Sequence, residues 1–156
     1  MNVEEIVQKI NAEIKDKVQE VVITAPLRIN VKVDRKQLLF VLQYLKDQFG
    51  FTHMATISGN DLGENFEMVY HMASNLATVN VRILTPRSDP KIPSTCSVIP
   101  GAVLYERELQ DMFGIVVENI PDPRPLLLAD DWPAGEYPLR KDWHFTRPAE
   151  IIPGGK

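Results

Sequence analysis

A chain of 156 residues, 44% of them hydrophobic and 24% charged, is long enough to bury one sizeable core and short enough to form one domain. Its formal net charge of −4 opposes binding to a phosphate backbone, which needs a basic face to displace condensed counterions, so no nucleic acid partner is expected. The longest apolar runs fall far short of the roughly 20 residues that cross a bilayer, and a single cysteine, Cys96, leaves no intramolecular disulfide and fits a reducing compartment.

The opening Met1-Asn2-Val3-Glu4-Glu5 is acidic where a signal peptide is basic and then apolar, so the chain is expected to stay on the side where it was made. Over the first 18 residues Val3, Ile6, Val7, Ile10, Ile14 and Val18 recur at helical spacing, and Asn2 with Glu5 forms a capping-box pattern. From Leu27 to Asp34 the pattern switches to strict alternation, which predicts a half-buried strand paired with an earlier one near Glu20 to Thr24. Asp34 then caps a second helix with Leu38, Val41, Leu42, Leu45 and Phe49 on one stripe, and Gly50 supplies a left-handed stop. Three strand-like segments follow, Phe51 to Ser58, Phe66 to Ala73 and Ala77 to Thr85, separated by a loop over 59–65 and a turn at Ser74-Asn75, so a meander is predicted. This order gives an α+β fold, a mostly antiparallel or mixed sheet with helices on one face.

After Thr85, prolines at 86, 90, 93 and 100 enforce an irregular passage to a helix from about Gly101 to Gly114. Beyond Asn119 come seven of the twelve prolines, at 121, 123, 125, 133, 138, 148 and 153, and no long regular element fits there. The predicted organisation is therefore a core over 1–118 and an extended tail over 119–156. That tail carries Leu126, Leu127, Leu128, Trp132, Tyr137, Leu139, Trp143, Phe145, Ile151 and Ile152, more large apolar groups than a solvated linker tolerates. They need cover from the domain, from a partner, or from both.

On the third helix a rotation of about 100° per residue gathers Ala102, Tyr105, Leu109, Met112 and Phe113 on one face, with Glu106 and Glu108 on its opposite edges. Arg107 and Asp111, four apart, are spaced for an ion pair on the outer face. Basic residues beside Trp143 either snorkel at the surface or pair with a partner's carboxylates while the indole fills a pocket. No catalytic pattern emerges. His53, His71 and His144 have no close His or Cys companion, Cys96 has no CxxC neighbour, and there is no GxGxxG, Walker loop or GxSxG.

Two blocks, Glu106-Arg107-Glu108-Leu109-Gln110-Asp111-Met112-Phe113-Gly114-Ile115 and Tyr137-Pro138-Leu139-Arg140-Lys141-Asp142-Trp143, resemble the signature of the 30 kDa subunit family of respiratory complex I, which includes the matching subunit of membrane-bound, energy-converting [NiFe] hydrogenases. The similarity runs from about Phe66 to Trp143. It implies an α/β domain, free of redox cofactors, whose extended C-terminal segment wraps along the large catalytic-type subunit of a hydrophilic arm. The NiFe centre and iron-sulfur clusters would then belong to that subunit and to a small iron-sulfur subunit. The chain would sit as a peripheral subunit on the cytoplasmic side of the cell membrane, attached through integral membrane partners. Matching positions in the helix are Glu106, Arg107, Glu108, Asp111, Phe113 and Gly114, and in the tail Pro138, Leu139, Arg140, Lys141 and Asp142; with Trp132 and Trp143 these form the expected docking set. Departures are Val117, Ile120-Pro121-Asp122, Arg124-Pro125 and Glu136-Tyr137, where complex I members usually carry an aromatic, a histidine-proline-aspartate run, paired arginines and glycine-histidine. The short length and the Asp131-to-Pro138 segment look more like the hydrogenase branch, so a hydrogenase or related ferredoxin-linked complex is placed ahead of an NADH:quinone oxidoreductase. A free-standing small enzyme and a generic adaptor are the other classes; turnover without a partner marks the first, and co-purification on unrelated proteins the second.

Overall fold

The structure is a computed structural model describing residues 2–145; the tail positions Pro148, Ile151, Ile152 and Pro153 lie outside the described residues. Helix α1 spans Val3–Glu13 and opens with the expected capping box, in which Asn2 accepts from the Glu5 N–H and the Glu5 carboxylate from the Asn2 N–H. It ends a turn earlier than the apolar spacing suggests. Ile14 leaves the helical region, and Lys15–Lys17 tighten into a 3₁₀ turn that leads into strand β1, Glu20–Ala25. Strand β2 is Arg28–Lys32, and Asp34 caps the 3₁₀ turn Arg35–Gln37 that runs into α2, Leu38–Phe49. Gly50 closes α2 at φ 70°, a left-handed conformation that costs a residue without Cβ little.

Strands β3, His53–Asp61, β4, Asn65–Ala73, and β5, Thr78–Pro86, form the expected antiparallel meander. β3 extends through Gly59 and Asn60 to Asp61, so the turn joining β3 to β4 is only Leu62 to Glu64, shorter than the predicted loop. The sheet order is β1-β2-β5-β4-β3, with β2 and β5 parallel and every other pair antiparallel. On its inner face Ile29, Val31, Phe66, Met68, Tyr70, Met72, Val79, Val81 and Ile83 join the apolar stripes of α1 and α2 in one core. The opposite face carries two transverse polar ladders. Ser58 meets His71 Nε2 at 3.0 Å, His71 Nδ1 meets Asn80 at 2.9 Å, and Asn80 donates to Asn30 at 2.8 Å. The second runs Asn60, Glu67, Arg82.

A second, two-stranded parallel sheet was not expected: β6, Lys91–Pro93, pairs with β7, Val116–Glu118. The 3₁₀ turn Pro100–Ala102 begins helix α3, Val103–Phe113, which Gly114 ends at φ 67°. Beyond Glu118 the described residues contain no helix or strand. No helix among them is long and apolar enough to cross a membrane.

Candidate functional site

The charged helix α3 is the axis around which the site is built, and its first carboxylate faces inward. Glu106 is fully buried and accepts from Ser94 Oγ at 2.7 Å, the Thr95 N–H at 2.5 Å, Thr95 Oγ1 at 2.7 Å and Cys96 Sγ at 3.3 Å. The expected edge position is therefore corrected. The irregular 94–96 segment, whose flanking prolines deny it a regular element, wraps over the helix and turns four donors onto one carboxylate. Burial and the neighbouring Glu106 charge both push the Cys96 thiol up, against the lowering effect of Ser94, so it is a poor nucleophile. Tyr70, inside the core near Glu106, is likewise pushed up by burial first and by that charge second.

Arg107 and Asp111 do not pair with each other, a second correction to the i,i+4 expectation. Each takes hold of the tail instead. Arg107 donates through Nε to the Arg124 carbonyl at 2.7 Å, through Nη2 to the Pro125 carbonyl at 2.8 Å, and pairs with Asp122 at 3.1 Å. Asp122 is held well below the usual carboxylate range, chiefly by hydrogen bonds from the Arg124 side chain and N–H, with Arg107 adding to them. Asp111 is buried, and its Oδ2 gathers the backbone N–H groups of Leu126 at 2.8 Å, Leu127 at 2.8 Å and Leu128 at 3.3 Å. Three successive amides on one carboxylate oxygen fix a bend in a segment with no ladder of its own.

A second clasp closes at the other end of the helix. Phe113 is buried, edge-on to Phe66 at 6.1 Å, and lies so close to Gly59 that a Cβ there would stand 2.5 Å from its ring. A Cβ on Gly114 would meet the Tyr137 ring and, at 2.7 Å, the Arg140 guanidinium. Arg140 donates Nε to the Phe113 carbonyl at 2.7 Å, and lies 4.3 Å over the Tyr137 ring and 5.2 Å over Phe66. The Leu139 N–H reaches the Met112 carbonyl at 3.1 Å. Asp61, at the end of β3, accepts from the Lys141 N–H at 2.8 Å, the Gly63 N–H at 2.8 Å and Arg87 Nη2 at 2.5 Å. Burial disfavours that carboxylate, yet these donors outweigh it and hold Asp61 below the usual range. Arg87 also covers Phe66 at 4.9 Å and lies 3.5 Å from Asp142.

The docking set thus separates by placement. Glu106, Asp111 and Phe113 are buried, Gly114 is covered by Tyr137, and Arg107 and Arg140 bind within the chain. Glu108 is half-buried and, among the described residues, takes part in no hydrogen bond or ion pair. Pro138 is half-buried, Leu139 is 53% exposed, and the Lys141 and Asp142 side chains face outward. Trp132 and Trp143 pack 5.9 Å apart with Phe145 beyond, their indoles donating to the Glu136 carbonyl at 2.9 Å and carboxylate at 3.2 Å. Asp61, Arg87, Ser94, Thr95 and Asp122 are not among the expected docking residues; Asp61 falls in the predicted loop over 59–65 and Arg87 two residues past a predicted strand, where a charge next to a turn is the available signal. Among the described residues no group of three or more His, Cys, Asp or Glu side chains is placed to hold a metal.

Comparison with known proteins matches residues 31–149 to the family described as respiratory-chain NADH dehydrogenase, 30 Kd subunit, a longer span than the two motifs alone indicate. The matching subunit of the F(420)H(2) dehydrogenase of Methanosarcina mazei is 35% identical over 147 residues, with 92% of each chain covered. The matching subunit of the NADH-quinone oxidoreductase of Rhizobium rhizogenes is 34% identical over 79% of this chain and 64% of its own length. Formate hydrogenlyase subunit 5 of Escherichia coli is 35% identical over 74% of this chain but only 21% of its own. The chain thus spans nearly all of the first relative and less than two thirds of the others. Among solved structures, a chain of the archaeal membrane-bound sulfane sulfur reductase aligns with TM-score 0.80 at 26% identity over 90% of this chain and 85% of its own. The trypsin-resistant fragment of Nqo5 aligns with TM-score 0.65 at 26% identity over 78% of this chain and 99% of its own. On its sheet order, its α3 motif and a family match covering most of its length, the chain is a member of the 30 kDa subunit family of respiratory-chain NADH dehydrogenases.

Proposed function

We propose that the chain is a structural subunit in the hydrophilic arm of a membrane-associated, multi-subunit oxidoreductase, docking through its tail on a large catalytic-type subunit beside a small iron-sulfur subunit. The observation that carries this reading is the clasped tail. Its described part is held at 122–128 by α3 and at 137–141 by α3 and Asp61, yet it turns Leu127 (55% exposed), Leu139 (53%) and Phe145 (64%) to solvent. A segment fixed in place with apolar groups outward is a preorganised interface, since little ordering entropy remains to oppose binding. In this reading Glu106, Asp111, Phe113, Arg107 and Arg140 build the surface, while Glu108, Trp132, Leu139, Lys141 and Trp143 meet the partner.

The chain itself carries no redox centre in this proposal; one buried cysteine and three scattered histidines supply no ligand set, and the NiFe and iron-sulfur groups belong to partners. Similarity to formate hydrogenlyase subunit 5 supports a complex of the hydrogenase-related kind as the first reading, and similarity over 92% of the chain to part of an F(420)H(2) dehydrogenase and over 90% to part of an archaeal respiratory membrane complex supports a subunit role for the whole domain. Similarity to NADH-quinone oxidoreductase subunits keeps that enzyme as the second reading. Peripheral attachment on the cytoplasmic side follows from the same assembly.

The test is affinity purification of the tagged full chain from native membranes, with identification of the accompanying subunits and metals. A large catalytic-type subunit and an iron-sulfur subunit in stoichiometric yield are expected, with metal lost on stripping those partners. Recovery of the chain alone, or of a chain carrying stoichiometric iron, nickel or flavin by itself, would overturn the proposal.

A further inference from the structure

Inside the tail bend lies a pocket of about 260 Å³ whose walls include Asp111, Leu128, Asp130, Trp132, Glu136 and Tyr137. It is smaller than the roughly 300–1,000 Å³ typical of small-molecule sites, so one side chain fits it better than a cofactor. Its charged groups share one sign. Asp130 is exposed and forms no hydrogen bond or ion pair among the described residues, and the Glu136 carboxylate answers only the Trp143 indole. Asp111 is buried, and all of its hydrogen bonds go to Oδ2, leaving Oδ1 without a donor among the described residues. The carboxylates are not grouped for a metal. Two of the remaining walls are aromatic, and Tyr137 already receives one guanidinium, that of Arg140 at 4.3 Å.

From this charge and shape we infer that the pocket receives an arginine side chain projecting from the partner subunit. The inference rests on the docking reading above and names the chemistry of the partner surface. A guanidinium suits the site better than an ammonium. Its flat faces stack on the Trp132 and Tyr137 rings, while its edge donors reach carboxylates on more than one side. Asp111 is satisfied by the tail amides, but Asp130 and Glu136 leave the mouth of the pocket negative with no cation paired to them among the described residues, so a partner's positive charge is complementary there, which sets register and selects against acidic surfaces.

The probe is Nα-acetyl-arginine amide, titrated into the ¹⁵N-labelled full chain while the Trp132 and Trp143 indole N–H resonances are followed. The uncharged isostere Nα-acetyl-citrulline amide is the control, and backbone spectra show whether each variant keeps its fold. A saturable shift with arginine and none with citrulline is expected. Asp130→Asn combined with Glu136→Gln should weaken it about tenfold, as loss of two partly exposed charge contacts implies. Equal shifts with both probes, or none with arginine, would overturn the inference. Binding that emerges only in Arg147→Ala would assign the pocket to the chain's own arginine and overturn it equally. Because the probe is a single amino-acid derivative, failure here leaves the docking of the whole subunit to be judged by its purification.

Discussion

Replacing Arg140 with alanine should open the second clasp while leaving the sheet and its helices folded. Two interactions disappear together: a charge-assisted hydrogen bond to the Phe113 carbonyl at 2.7 Å, and the stack against the Tyr137 and Phe66 rings at 4.3 and 5.2 Å. The first contributes about 1.5–3 kcal/mol and the second about 0.5–1 kcal/mol for a partly exposed site, so the clasp weakens by about 2–4 kcal/mol. Arg140 only covers the core residues Phe66 and Phe113 from outside, so the packing behind α1 and α2 is left intact and keeps its midpoint in thermal unfolding. The sensitive reporters are the Leu139 and Lys141 amides, bonded to the Met112 carbonyl and to Asp61. If they exchange through local opening, at tenfold per 1.4 kcal/mol, their hydrogen-exchange rates should rise about 30- to 700-fold, with β4 and β5 amides unchanged. Arg140→Lys, which keeps the charge but loses the planar stack and the Nε geometry, should fall between. Unchanged exchange at Leu139 and Lys141 would show that the aromatic packing alone holds the tail, and the argument for Arg140 would fail.

Three further outcomes follow from the same contacts. Glu106→Gln should lower stability to urea unfolding by about 1–3 kcal/mol and Glu106→Ala by about 3–4 kcal/mol, because only the alanine leaves the buried Thr95 N–H without an acceptor; equal small losses would mean the cluster is hydrated. Asp61 is held below the ordinary aspartate value of about 3.9, so its contribution is complete above that pH and is lost as pH falls through the folded value. Exchange at Lys141 should therefore accelerate below about pH 4, a dependence that Asp61→Asn removes. Gly114→Ala forces a Cβ into a left-handed residue and against Tyr137, which should destabilise by about 1–2 kcal/mol from the backbone alone and release residues 137–143 to proteolysis; a resistant tail would refute the close packing.

Much of the scaffold is legible because its signals are local. The stripe Leu38, Val41, Leu42, Leu45 with Gly50, and the alternation through β2, each encode their element within a dozen residues. Ile14 misleads because it continues the apolar period of α1 while its backbone has already left the helix; the core wants the side chain there whatever the backbone does. β6 hides behind Pro90 and Pro93, which read as breakers, although a three-residue strand tolerates a proline at its end. The site is harder for a different reason. Helical spacing offers Arg107 and Asp111 to each other, but the tail supplies acceptors and amides 15–18 residues away, which compete successfully. Glu106 resembles a solvent-edge residue until an irregular segment 10–12 residues earlier folds over it. Such pairings are set by where loops land, and no periodicity records that.

The one parallel junction in the large sheet bears on how the chain reaches this structure. The β1-β2 hairpin and the β3-β4-β5 meander are each assembled from neighbours in sequence and can form early, within microseconds to milliseconds for such local units. Joining them pairs β2 with β5, with Asn30 beside Asn80 at a separation of 50 residues, and that union requires α2 to be threaded across first. The entropic toll of closing this long loop makes it the natural rate-limiting step. Until it is complete, β2 and β5 each present an open hydrogen-bonding edge, so the half-folded chain is most exposed to aberrant strand exchange at this seam, which folding itself then closes.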